Sequence, residues 1–194
     1  MSLLSASDLM GMVVKQIMFC QEQGVFFDKV EETDSLSVRF NKIRKNYESK
    51  NRLVDAGFST WDRFDSDLAY LLQDCFSPIE KFIFNDLRCN GIAPYPQLPV
   101  AGFFLDFAIL PNKIAIECDG AEFHDIKKDR ERDAKLIALG WRIVRIPGWA
   151  CQTPERSFGY IDTVRGVMRL DRGLPQYREE IAACGGRIAF ARFM

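Results

Sequence analysis

The chain lacks any run of about twenty uncharged apolar residues, the length a membrane span requires, so no bilayer-crossing helix is expected. Its first segment, MSLLSASDLMGMVVKQIMFCQEQG, has an apolar centre but no basic leader and no clear small-residue cleavage site. It reads as a helix and not a signal peptide, and a cytoplasmic protein is expected. There is no C-x-x-C pair. Cys20, Cys75, Cys89, Cys118, Cys151 and Cys184 are widely scattered, which argues against zinc and redox spacings and leaves free thiols, mostly buried. Low-complexity tracts and internal repeats are absent as well. A net charge of −1 argues against a strongly basic nucleic-acid coat, and His124 is the one histidine.

What is present suffices for a substantial core, because 194 residues need neither disulfides nor tandem repeats to stay folded. The small net charge conceals an asymmetry. Residues 1–125 are acidic overall, whereas Lys127, Lys128, Arg130, Arg132, Lys135, Arg142 and Arg145 fall close together. A local positive surface beside acids suits an enzyme acting on a polyanion. Ordinary solvent faces carry such charges too.

Apolar periodicity predicts an N-terminal helical region over 1–76. One helix covers 6–23 and stops at Gly24, a second covers about 34–56, and a third starts near STWD with Phe64, Leu68, Leu71 and Leu72 repeating. No catalytic grouping is visible there. From 77 to 194 the pattern changes. Ser77, Pro78 and Glu80 open a helix that Gly91 ends, with Glu80 either closing a capping box or aimed inward with Phe84 and Leu87. GIAPYPQLPV reads as an irregular, proline-broken lead into a sheet. A β-hairpin follows, then a charged helix over 126–139, a strand WRIVRIP, and a helix from Pro154 to about Leu170 with Phe158, Ile161, Val164 and Met168 repeating. A short helix near 175–184 and a strand RIAFARF close the chain, and that strand offers a route to a homo-oligomer.

The hairpin carries the chemistry. If Pro111 and Asn112 make its turn, Leu110 pairs with Lys113 and Asp106 stands opposite Glu117, with Asp119 on the same side. The other side, Leu105, Phe107 and Ile109 against Ile114, Ile116 and Cys118, is apolar throughout. Three gathered carboxylates raise one another's pKa and cost stability unless a cation sits among them. Oxygen donors of this kind suit Mg2+, with Mn2+ as substitute. The bland alternatives are an Asp119-Gly120 turn and pairing of Asp106 and Glu117 with Arg142 or Lys113. His124, just beyond the strand, alone titrates near neutrality and is a candidate acid, base or phosphate contact. Lys127 and Lys128 are either phosphate contacts or surface lysines.

IECDGAEFH followed by DRERDAKLIALGWRIVRI resembles the very-short-patch-repair-like endonuclease domain, a branch of the PD-(D/E)xK nuclease superfamily. Glu80 matches its helical glutamate, Asp106-Phe107 its aspartate strand, and Glu117, Asp119, Gly120 and His124 its I-E-x-D-G-x-x-H strand, although His124 lies further downstream than the tightest spacing. Asp129, Arg132 and Asp133 match D-x-x-R-D, and Gly140, Trp141, Ile143 and Arg145 match the last motif. Gln97 corresponds to a glutamine ahead of the aspartate strand. The resemblance spans about 77–148 and implies an α/β (α+β) domain with a mixed four-stranded sheet flanked by helices.

It also implies magnesium-dependent hydrolysis of DNA phosphodiesters. Asp106, Glu117 and Asp119 would be metal ligands, with Glu80 and His124 completing the catalytic set. Gln97, Lys127, Lys128, Arg132, Arg142 and Arg145 are the candidate nucleic-acid contacts. Where many relatives have a lysine, this chain has Asp119, which leaves the lysine's function to Lys113, Lys127, Lys128 or His124. The sequence therefore predicts a metal-dependent DNA endonuclease with no membrane partner and no organic cofactor. A catalytically inactive nucleic-acid-binding module and a partner-binding structural protein stay open beside it.

Overall fold

The computed structural model describes residues 5–61, 68, 71–72, 76–110, 112–120 and 126–171, without the side chains of 126–127 and 169–171. The expected third N-terminal helix, the residues around His124, and the closing helix and strand lie largely or wholly outside these residues.

Helix α1, Ala6–Gln23, begins at a capping box formed by Ser5 and Asp8 and ends at Gly24, whose φ of 60° gives the left-handed cap that glycine adopts without strain. None of its residues is buried, and Met10, Val13 and Ile17 lie half exposed. Periodicity located this helix without supplying it a partner. Helix α2, Leu36–Asp55, turns Ile43 and Tyr47 inward. Helix α3, Pro78–Cys89, has proline at its first position and the Ser77–Glu80 capping box that the sequence predicts.

Four strands form one mixed sheet in the order β1-β2-β3-β4: β1 Tyr95–Val100, β2 Phe103–Ile109, β3 Ile114–Asp119 and β4 Arg142–Pro147. β1 pairs antiparallel with β2, β2 antiparallel with β3, and β3 parallel with β4. The mixed four-stranded sheet flanked by helices, with helices ahead of it in the chain, is the expected architecture. One element is corrected. The proline-rich stretch read as an irregular lead is strand β1, and an edge strand accommodates Pro96 and Pro99 because one row of its amides needs no partner.

Helix α4, Ile126–Ala138, connects β3 to its parallel neighbour β4, and α5, Pro154–Asp171, follows β4. Two cores flank the sheet. On one side Phe107, Ile109, Ile114, Ile116, Val144 and Ile146 meet α3 and α5. On the other, Ala108, Ala115 and Ile143 meet α2 and α4 through Ile43, Tyr47 and Leu136. The small side chains Ala108 and Ala115 leave room there for helices to approach. Tyr47 fixes α2 to the edge strand by donating its hydroxyl to the Pro96 carbonyl at 2.5 Å. In α5 the expected inward Phe158 is instead 60 % exposed, and Ser157, Ile161, Val164 and Val167 face the core. Ser157 turns in because Asp86 on α3 accepts its hydroxyl. Among the described residues no helix is long and apolar enough to cross a membrane.

Candidate active site

The hairpin register is the one that its turn dictates. Phe107 pairs with Ile116, Ala108 with Ala115 and Ile109 with Ile114, and the Lys113 amide donates to the Leu110 carbonyl at 3.2 Å. One step further, the same register sets Asp106 opposite Glu117, but the ladder stops there. The Cys118 amide donates to Asp106 Oδ2 at 2.8 Å, so a side-chain carboxylate takes the place of a backbone carbonyl. The β1–β2 ladder is interrupted at the same level. Pro96 pairs with Phe107 and Leu98 with Leu105, while Gln97 between them has a φ of 52°. Asp106 thus occupies a break on both sides of β2, where the backbone has made space for its carboxyl group.

The electrostatics follow from that position. Burial first, then the charges of Glu117 and Glu80, push the Asp106 carboxyl up from 3.8 to about 8, against the opposing pull of the Cys118 amide and Arg132. Glu117, only 4 % exposed, is also raised, chiefly by burial, although the charge and hydrogen bond of Arg132 and the charge of Arg145 oppose the shift. Two carboxylates on adjacent strands therefore meet in a partly dry pocket that disfavours both charges.

Arginines from beyond the hairpin answer part of this charge. Arg132 Nη2 on α4 donates to Glu117 Oε1 at 2.6 Å and to the Phe104 carbonyl at 3.3 Å. Arg145 on β4, the ladder partner of Glu117, donates to Asp119 Oδ1 at 3.0 Å and to Asp133 Oδ1 at 2.8 Å. Burial disfavours the Arg145 charge, and Asp119 and Asp133 more than offset this, leaving its pKa raised. The D-x-x-R-D segment consequently grips β3 and β4 directly: its arginine binds one strand acid, and its last aspartate binds the arginine that holds the other.

Glu80 combines the two roles between which the sequence left a choice. Its Oε2 accepts the Ser77 amide at 2.6 Å, closing the capping box, and its charge still reaches Asp106. Gln97 lies at the level of Asp106 on the edge strand. Arg142 does not approach the acids; it pairs with Ile114 at the hairpin end of β3 and donates to the Asn112 carbonyl at 2.7 Å. Lys113 is directed to the Leu139 carbonyl at 3.1 Å. Neither of the partners first considered for the acids is the one used. Lys128 is exposed, whereas His124 and the Lys127 side chain fall outside the described residues.

Among the described residues no group of three or more His, Cys, Asp or Glu side chains is arranged to hold a metal ion. Asp106 and Glu117 stand within reach of each other's charge, with Asp119 turned toward Arg145. The sequence did not reveal the two counter-ions as such, because Arg132 and Arg145 stand 15 and 26 residues from the acids they bind. Its only hint was the basic segment after the hairpin.

Residues 79–154 match the family model REase_MTES_1575. A solved structure titled "Homing Endonuclease I-Bth0305I Catalytic Domain" is similar at 17% identity and a TM-score of 0.35, covering 53% of this chain and 98% of that one. Among curated proteins none matches.

Proposed function

Supported by the match of residues 79–154 to a restriction-endonuclease family model, we propose that the chain is a PD-(D/E)xK-like, metal-dependent DNA endonuclease, of the very-short-patch-repair-like kind its motifs resemble. The observation that carries the proposal is the meeting of Asp106 and Glu117 at the point where β2 and β3 part, with Asp106 driven to about 8. Such a pair is unfavourable by itself and suited to a cation.

The residues fit magnesium by donor chemistry. Asp106 Oδ1 and Glu117 Oε2 carry no hydrogen bond among the described residues, while their companion oxygens are fixed by the Cys118 amide and Arg132. Mg2+ takes one or two carboxylates and completes its shell with water and phosphate oxygens, so two orientated acids suffice. When bound it would supply Lewis acidity, lowering the pKa of a water and neutralising charge on the phosphate oxygens. The chain's own contribution is positional. Asp106 is held in the strand break, Glu117 is orientated by Arg132, Asp119, held by Arg145, would be a further ligand, and Glu80 tunes Asp106 from the helix. His124 and Lys127 complete the proposal as a proton carrier and a phosphate contact.

Nicking of supercoiled plasmid with Mg2+ or Mn2+ tests this reading. Wild-type protein should cut and the Asp106→Ala variant should not; equal cutting by both would sink the assignment. One observation favours a second reading. Glu117 and Asp119 each already hold an arginine, as in an inactive nucleic-acid-binding module whose ion has been replaced by guanidinium groups. Calorimetry separates the two, since the module would take up no Mg2+ or Mn2+.

A further inference from the structure

The three arginines named above as candidate nucleic-acid contacts are already engaged: Arg132 by Glu117, Arg145 by Asp119 and Asp133, and Arg142, at the hairpin end, by the Asn112 carbonyl. Two other cations, beside the start of β2 that carries Asp106, are not. Arg44 on α2 and Lys135 on α4 are exposed and meet no carboxylate among the described residues. Each lies over an aromatic ring instead. The Arg44 guanidinium is 5.1 Å from the Phe104 centroid, and Lys135 Nζ is 5.6 Å from that of Phe103.

These rings follow the two-residue turn between β1 and β2. Ala101 and Gly102 both have positive φ, 51° and 86°, as a tight reversal needs, and they leave the tip without a bulky side chain. Phe103 lies under Lys135 of α4, and its neighbour Phe104 lies under Arg44 of α2, where Phe40 stacks on it at 4.5 Å. The turn is also tied to the acids. Arg132 lies 5.9 Å from the Phe103 centroid, binds the Phe104 carbonyl, and holds Glu117.

A cation resting on a fixed ring keeps its N–H groups available while losing much of its side-chain freedom in advance, which favours capture of an anion. Resting on the nuclease reading above, we infer that Arg44 from α2 and Lys135 from α4 form a phosphate clamp at the β1–β2 turn, holding the nucleic-acid backbone beside Asp106 and Glu117. Contacts to phosphate position a strand without reading its sequence. Helix α2, from the N-terminal region, thereby supplies half of the grip.

The test is fluorescence anisotropy of a labelled DNA duplex with the full chain in EDTA, titrated with salt. Each lost phosphate contact should reduce the slope of log K against log salt by about 0.9. The double variant Arg44→Gln/Lys135→Gln should therefore lose nearly two units of slope, by a similar amount on unrelated sequences. The charge-keeping variant Arg44→Lys/Lys135→Arg should retain the slope, as should Lys15→Gln on α1. Unchanged melting temperatures exclude misfolding as the cause. A double Gln variant with the wild-type slope overturns the clamp alone; a wild-type protein that binds no nucleic acid at low salt overturns the nuclease reading with it.

Discussion

Removing the negative charge at Asp106 should stabilise the metal-free protein, and the gain should grow with pH. A carboxyl raised from 3.8 to about 8 binds a proton in the folded state over a window where the unfolded chain has released it. Because the folded pKa is the higher one, its stabilising contribution is complete below about pH 4 and is lost as pH rises through about 8. At about 1.4 kcal/mol per unit, the full shift has a ceiling of roughly 6 kcal/mol. Solvent reaches the half-buried side chain and screens part of this, so about 3 kcal/mol by pH 8 is the working figure. For a chain of this size that corresponds to roughly 6–12 °C in Tm. The Asp106→Asn variant keeps the shape and an oxygen for the Cys118 amide but cannot ionise. Melting curves in EDTA from pH 5 to 9 should show wild-type Tm falling with pH more steeply than that of the variant, the two curves separating from pH 5 to about 8 and keeping that separation above it. Parallel curves would refute the claim that Asp106 sits in a charge-averse pocket. Glu117, whose pKa is raised as well, adds a slope of the same sign to both proteins.

Two other perturbations probe the supports of the site. Arg132→Met removes the partner of a carboxylate that is only 4 % exposed, and should cost about 3 kcal/mol in urea titrations at pH 8, with the loss shrinking as pH falls because the Glu117 carboxyl, already raised by burial, is relieved by taking up a proton. Ser77→Ala deletes the hydroxyl that accepts the Glu80 amide and should cost about 1 kcal/mol, read by the same denaturation, because the α3 capping box loses one of its two bonds.

Particular residues show how far a local reading reached the fold. The register of β2 against β3 was legible because a two-residue turn leaves no choice about which residue faces which, and a one-residue slip would bury polar groups. The α3 start was legible because capping is chemistry between residues three apart. β1 was not legible, since Pro96 and Pro99 weigh against a strand until it is known to lie at the sheet edge. Phe158 and the apolar residues of α1 were misleading or incomplete for a related reason: periodicity identifies a helix, but what covers each face depends on elements far along the chain.

By itself, then, the sequence determined that Asp106 and Glu117 share a level of the hairpin, because alternation and turn length are local rules that hold wherever the strands are placed. Only the tertiary structure decided which groups answer those charges. Arg132 comes to Glu117 from α4, and Arg145 comes to Asp119 through the parallel pairing of β4, while Arg142, in the same strand and of the same chemistry, is carried to the far end. Charge attracts through space and not along the chain, so its partners are fixed only when helices and strands have packed.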